Sequence, residues 1–507
     1  MTRRASLALA ALFCSACNVA PKYQKPAALP PAVFPESFKE LKGDDTWKAA
    51  NPSDTVIRGK WWEIFGDPQL NALEEKVAIT NQNVKQAEAQ FLAARAAVDL
   101  AHASYYPSIT STPSITETET GNTPGRGIRT ASFVLPVAAS WVADVWGQIH
   151  TQVEGATDSA QVSAANLENA RLSYQATLAA DYFTLCSLDM QYTLLHETNE
   201  AYQKYLQLTI DRFNGGVAAK SDIALAQTQL ATTQASETDL GVQRGQFEHA
   251  IAVLTGQPPE NFSLGACKIA GPPPPIPSTV PSTLLERRPD IASAERNIAV
   301  QNANIGLAKV AFYPTIGLSG SAGISANLFQ SLFTGPARIW SAGPAVSETI
   351  FDFGRRGATM AQARANYDAA VAAYRQTVLA AFQAVEDNLV ALRVLTTEAA
   401  QTDEAVKAAQ QSLDLITERY KAGTNSYLDV IQTQTIALTD ERNAVTILQR
   451  RMTAAVGLVQ ALGGGWDYST LPSYDQLRSA AMADPANTGK VAAPRAEGPR
   501  VTPVKAQ

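Results

Sequence analysis

The 507-residue chain has little of what catalysis and metal chemistry usually need. Its four histidines, His102, His150, His196 and His249, stand singly, and no HExxH, GxSxG or phosphate-loop pattern accompanies them. That excludes the common metalloprotease, serine-hydrolase and NTPase classes, and no cofactor or metal is implied. Of four cysteines, Cys14 and Cys17 lie at the start, and Cys186 and Cys267 have a spacing that matches no metal motif. A disulfide is open to the second pair, but two unrelated buried thiols is the preferred reading. Beyond the start, no run of roughly 18 uncharged apolar residues exists, so no transmembrane helix is predicted. The net charge is −6 without a basic run, which argues against nucleic acid as a partner.

Proline is missing from two long stretches, between Pro136 and Pro258 and between Pro344 and Pro472. Proline inside a helix costs about 3 kcal/mol, so such gaps are where very long helices can form. In the first gap Leu167, Tyr174, Leu178, Leu185, Leu188, Tyr192, Leu195, Tyr202, Leu206 and Phe213 fall on alternating three- and four-residue steps, a coiled-coil seam. The pattern predicts a helix of about 100 Å from Gly147 to Phe213, ended by Gly215-Gly216, and a returning helix capped by Ser221 or Asp222 and running to Leu254. The second gap repeats this, with a helix from Gly354 to Lys421, Gly423 as its stop and a return from Ser426 to Leu462.

The recurrence is one of register. Arg212 and Arg419, Gly216 and Gly423, and Asp222 and Asp429 all lie 207 residues apart, as do "SYYPSI" at Ser104–Ile109 and "AFYPTI" at Ala311–Ile316. A period so long means two large halves, not a solenoid. Ahead of each hairpin come period-two segments. Phe133, Leu135, Val137, Ala139 and Trp141 alternate with Ser132, Val134, Pro136, Ala138 and Ser140, giving one apolar and one smaller, more polar face. "STPSITETET", "PTIGLSGSAG" and "WSAGPAVSETIF" read as three further strands. The chain divides into a secretory signal at 1–16, an extended segment at 17–66, repeats at 67–272 and 273–466, and a disordered tail at 467–507. Strands occupy about 105–146 and 312–353. Ser15-Ala16-Cys17 follows an Arg-Arg and apolar stretch, making Cys17 the candidate lipid-attachment residue of a mature lipoprotein carrying palmitate. Asn18 behind it favours the outer membrane.

Together "CNVAPKYQKP", the paired "YYP" and "FYP", "DVWG" and "DFG", "LERRPDIASAERN" and both hairpin turns resemble the TolC-like outer membrane efflux family, in its lipoprotein branch of NodT and OprM type. The resemblance spans about Pro21 to Trp466. It implies a mainly α fold with a transmembrane β-barrel: a homotrimer whose twelve strands close in outer-membrane lipid and continue as a long α-helical barrel. Leu188–Tyr205 and Gly256–Ile276 would form a belt around its middle. The implied function is passive conduction of drugs or metal ions from an inner-membrane pump of RND type and a periplasmic adaptor to the exterior. The hairpin turns at Gly216 and Gly423 would be the entrance. An outlet for a protein or peptide exporter, and a non-transporting coiled-coil lipoprotein, remain alternatives.

Gate candidates follow from the same likeness. Leu428, Gln432 and Thr435 share one helical line after the Gly423 stop and match positions that narrow the mouth in OprM-like relatives. Asp429 matches an acidic ring of TolC, though as a residue in the first helical turn it also suits a simple end cap, as does Asp222. Tyr420 matches a latch tyrosine, with Asn425 where the latch arginine stands.

Overall fold

The structure, a computed structural model, describes residues 19–28, 59–121, 128–276 and 287–482. The signal segment 1–16, Cys17 and everything beyond Met482 lie outside the described residues.

A 3-10 turn at Trp61–Phe65 buries both tryptophans, so the segment expected to be extended to residue 66 is not so at its end. Helix α1 (Pro68–Thr80) starts where the Asp67 carboxylate accepts the N–H groups of Gln69 and Leu70. Asn81 caps α2 (Gln82–Ala103) in the same way. Strands β1 (Ser108–Ser111), β2 (Ser114–Thr120) and β3 (Ile128–Val142) precede α3 (Gln148–Asn214) and α4 (Lys220–Leu254). The second half runs α5 (Pro289–Val310), β4 (Thr315–Ala326), β5 (Arg338–Ser347), α6 (Arg355–Lys421) and α7 (Tyr427–Ala461), and α8 (Tyr474–Met482) follows.

The duplication is visible to the residue. Helices α2, α3 and α4 have 22, 67 and 35 residues, and α5, α6 and α7 have the same lengths. At 1.5 Å per residue each 67-residue helix is about 100 Å long. Each is launched by an aspartate. Asp144 accepts the N–H groups of Ile149 and His150, and Asp352 those of Gly354 and Arg356. The glycines between, Gly147 and Gly354, take φ of 74° and 86°, open to glycine at no steric cost.

The strands form one antiparallel sheet in which β1 and β2 both pair with β3, and β4 and β5 follow in order. Pro113, which has no N–H to give, separates β1 from β2, so what reads as one strand is two short ones on β3. Register sets Trp141 beside Leu318 and Pro344, and Val137 beside Ala322 and Trp340. Ile109, Ile115, Leu135, Val137, Leu318 and Trp340 share one exposed apolar face. The other face is small and hydroxylated, with Ser108 and Ser140 bonded Oγ to Oγ at 2.9 Å and Ser321 and Ser341 at 2.8 Å. Among the described residues both outer edges of the sheet are unpaired.

The main core lies mid-way along the long helices, where α1, α3, α5, α6 and α7 meet around Leu70, Leu178, Tyr182, Ile291, Tyr374 and Val456. The predicted seam is largely buried, but Tyr192 and Phe213 are 46 % and 40 % exposed and lie off it, because straight 3.6-residue winding drifts from a seven-residue repeat. Leu188–Tyr205 lies within the uninterrupted helix α3.

Two further expectations are corrected. Cys186 and Cys267 are bonded, with Cα atoms 4.9 Å apart, and are not unrelated thiols. The bond fastens the segment after α4 onto α3. Beside it Asp189 on α3 accepts the N–H of Cys267 and pairs with Arg244, which also reaches Glu248 and the carbonyl of Leu264. The tail from 467, expected to be disordered, is ordered as far as Met482. Its turn Tyr468–Thr470 leads to α8, and Leu477 is buried with Val98 and Ala160. One apolar residue with a ready groove suffices where overall composition gave no sign.

Candidate functional site

Two hairpin tips stand side by side, and identical backbone geometry makes both. At the first, the N–H groups of Gly215, Gly216 and Val217 return to the carbonyls of Asp211, Phe213 and Arg212. At the second, Ala422, Gly423 and Thr424 return to Glu418, Tyr420 and Arg419. Gly216 and Gly423 take φ of 77° and 80°, the left-handed stop the sequence predicts.

The returning helices start differently from one another. In α7 the cap is Ser426, as expected, whose Oγ accepts the N–H of Asp429. Asp429 reaches back, and its Oδ2 accepts from the Ser426 N–H at 3.1 Å, the Ser426 hydroxyl at 2.9 Å and Asn425 Nδ2 at 3.2 Å. The Ser426 hydroxyl and backbone N–H hold this carboxyl below the usual carboxylate range. In α4 the cap is Ala219, ahead of both Ser221 and Asp222, and Asp222 accepts the Ala219 N–H at 3.2 Å. The carboxylate does the capping from the third helical position, so no side-chain oxygen is needed at the cap itself.

Between the tips sits a small core of Ala226, Tyr420, Tyr427, Val430 and Ile431. Tyr420 is 3 % exposed, and its hydroxyl lies 3.2 Å from Thr209 Oγ1 on α3. It thus meets the other hairpin of its own chain, while Asn425 is committed to Asp429. One level along, the Tyr205 hydroxyl is 3.3 Å from Thr417 Oγ1. Arg212 Nη1 donates to the Tyr420 carbonyl at 2.6 Å. In the sequence Arg212 stands out only as a register mark; a basic residue in a helix's last turn beside an aromatic is the available signal. Leu428, Gln432 and Thr435 all lie exposed on α7, and the Thr435 hydroxyl also meets the buried Tyr202 of α3. Among the described residues no group of three or more metal-ligating side chains occurs, and no helix is long and apolar enough to cross a membrane.

The family model described as outer membrane efflux protein matches residues 73–257 and 280–464. The outer membrane protein OprJ of Pseudomonas aeruginosa is 29 % identical over 474 residues, 91 % of this chain and 96 % of that protein. The probable efflux pump outer membrane protein TtgC of Pseudomonas putida is 27 % identical over 91 % of this chain and 95 % of its own. The solved outer-membrane channel OprN superposes with a TM-score of 0.76 at 28 % identity, over 89 % of this chain and all of that one.

Proposed function

This chain belongs to the outer membrane efflux protein family and is the outer-membrane channel component of a tripartite efflux system, and we propose that it works as a lipid-anchored homotrimer. The observation that carries the assembly is the sheet. Apolar on one face, serine-rich on the other and unpaired at both edges, it fits a bilayer only when its edges are closed, since edge N–H and C=O groups find no partner in lipid. Three copies, each four strands wide, close into a barrel of about twelve strands with the serine face inward. The four long helices of each chain then continue the wall into the periplasm.

Substrates are small molecules, drugs or metal ions, delivered by an inner-membrane pump of RND type through a periplasmic adaptor. The wall needs only weak polar contact with its cargo, because tight binding would stop flow. The hairpin tips form the entrance, where Leu428, Gln432 and Thr435 face the opening and Asp429 lies one step round from Leu428. Cys17 carries the lipid.

Purified full-length protein in a planar bilayer is expected to give water-filled channels and to have a native mass of three chains. A non-transporting stalk would give trimers or monomers without conductance. Co-purification from the native host with a tagged adaptor is expected to bring down a small-molecule pump. Recovery of a protein or peptide exporter instead would change the substrate class.

A further inference from the structure

The N-terminal segment is fixed to the body with a clear direction. The Tyr23 hydroxyl bonds Glu295 Oε1 at 2.5 Å, Asn302 Nδ2 bonds the Pro21 carbonyl at 2.9 Å, and the Val19 N–H reaches the Trp146 carbonyl at 3.4 Å. Ala20 packs so closely on Gly306 that a Cβ there would come within 2.7 Å of it. Since α5 runs from Pro289 towards β4, the N-terminal segment climbs towards the sheet as residue numbers fall. Cys17, two residues before Val19, therefore follows the point where the chain meets the strand-to-helix junction.

At that level the apolar face of the sheet is hollowed. Trp141, Leu318 and Pro344 stand around the small residues Ala139, Gly320 and Ala342, enclosing a groove of about 650 Å³. The Trp141 ring is held upright by its Nε1–H bond to the Tyr105 carbonyl at 3.0 Å. Tyr105 borders this groove and also a cavity lined by Asp158, whose partner Arg296 is next to the Glu295 that holds Tyr23. Groove and N-terminal segment are thus connected through Tyr105, Asp158 and Arg296. The opposite face, lined by Ser108, Gln148 and Gln152, is the polar one.

We propose that this groove is the seat of an acyl chain attached to Cys17, so that the anchor lies along its own sheet instead of floating free in the bilayer. The inference rests on the proposed lipidation of Cys17. Reach supports it. Trp146 Nε1 is bonded to the Pro314 carbonyl at 2.8 Å, and Leu318 is four residues further along the strand, about 13 Å at 3.3 Å per residue. Two extended residues cover about 7 Å, and an acyl chain covers half the hydrocarbon core, about 15 Å. The lining is apolar where the chain would lie. Growing a side chain from Gly320 meets only ordinary contacts, with Ser341 O at 3.7 Å and Ala342 Cβ at 3.8 Å, so the groove can be filled without breaking the sheet.

The test is photo-cross-linking of full-length protein made in cells fed a diazirine fatty acid, with intact mass recorded before irradiation. The expected result is an acylated Cys17 whose lipid joins the Cys17 peptide to peptides carrying Leu318 or Ala342. Gly320→Leu and Ala342→Phe, tested separately, are each expected to cut that cross-link at least tenfold while channel conductance persists. Groove peptides joined only to phospholipid, or an acylated Cys17 cross-linked elsewhere, would overturn the proposal and leave lipidation standing. An unacylated Cys17 in the intact mass would overturn both readings.

Discussion

Arg212 and Tyr420 form a double contact: Nη1 donates to the tyrosine's carbonyl at 2.6 Å while the guanidinium carbon lies 4.5 Å from the centre of the same residue's ring. The last turn of one hairpin thereby closes the last turn of the other, adding a charged donor to a carbonyl that also accepts the Gly423 N–H. A charged hydrogen bond with a cation–π contact is worth about 1–3 kcal/mol at such a site. Arg212→Ala is expected to loosen the paired tips and raise single-channel conductance. Arg212→Lys is expected to recover only part, since ammonium lacks the planar fork. Unchanged conductance in the alanine variant would separate the contact from the gate.

Asp429→Asn keeps an acceptor at the helix start and removes the charge. Every bond to the carboxylate described above falls on Oδ2. Reduced cation selectivity with a slightly lowered melting temperature is the expected outcome. Altered melting with intact selectivity would restrict the residue to capping. Because the folded carboxyl titrates below its ordinary value, its capping contribution is complete above pH about 4 and is lost as pH falls further.

Leu135 lies on the apolar face and Ser321 on the serine face. Leu135→Arg is expected to cost about 2–4 kcal/mol near a bilayer midplane and to lower trimer yield. Ser321→Arg is expected to assemble normally and shift ion selectivity. Equal yields would refute the proposed orientation.

The Cys186–Cys267 bond closes a loop of 81 residues. Chain entropy assigns such a loop roughly 4 kcal/mol of stabilisation. Thermal melting with and without reductant checks this: wild type is expected to melt lower when reduced, and Cys186→Ser with Cys267→Ser is expected to be insensitive.

Glu74 is fully buried on α1, and neither carboxyl oxygen has a hydrogen-bond partner among the described residues. Burial alone pushes this carboxyl well above its ordinary value. A raised acid stabilises the fold below the unfolded value, near 4.5, and that contribution is lost as pH rises through the folded value. Wild-type melting is expected to fall with rising pH, and Glu74→Gln to flatten the profile and melt higher at pH 8. A flat wild-type profile would show that Glu74 does not titrate in isolation.

Much of the framework can be read before folding. Proline-free stretches and the glycines at 216 and 423 place both long hairpins within a residue or two, because proline and positive φ act locally. Alternation along Phe133–Trp141 gives the two faces of β3, since strand period does not depend on neighbours. The disulfide escapes because its partners are related only by packing between α3 and the segment after α4. Arg212 escapes for the same reason: its target belongs to the other repeat. Ala219 is missed as a cap because a side-chain oxygen is the usual signal, and Asp222 supplies one from three residues later. Leu428, Gln432 and Thr435 read as one helical line and are exposed on α7, but which surface faces the opening depends on chains beyond the single protomer.

The equal lengths of the paired helices carry one more consequence. Both tips must end at the same height for Arg212 to meet Tyr420, so the four long helices act as one ruler. A seven-residue insertion in α3 alone would lift its turn by about 10 Å and part the two residues. Any change in the length of this molecule therefore has to be made four times at once.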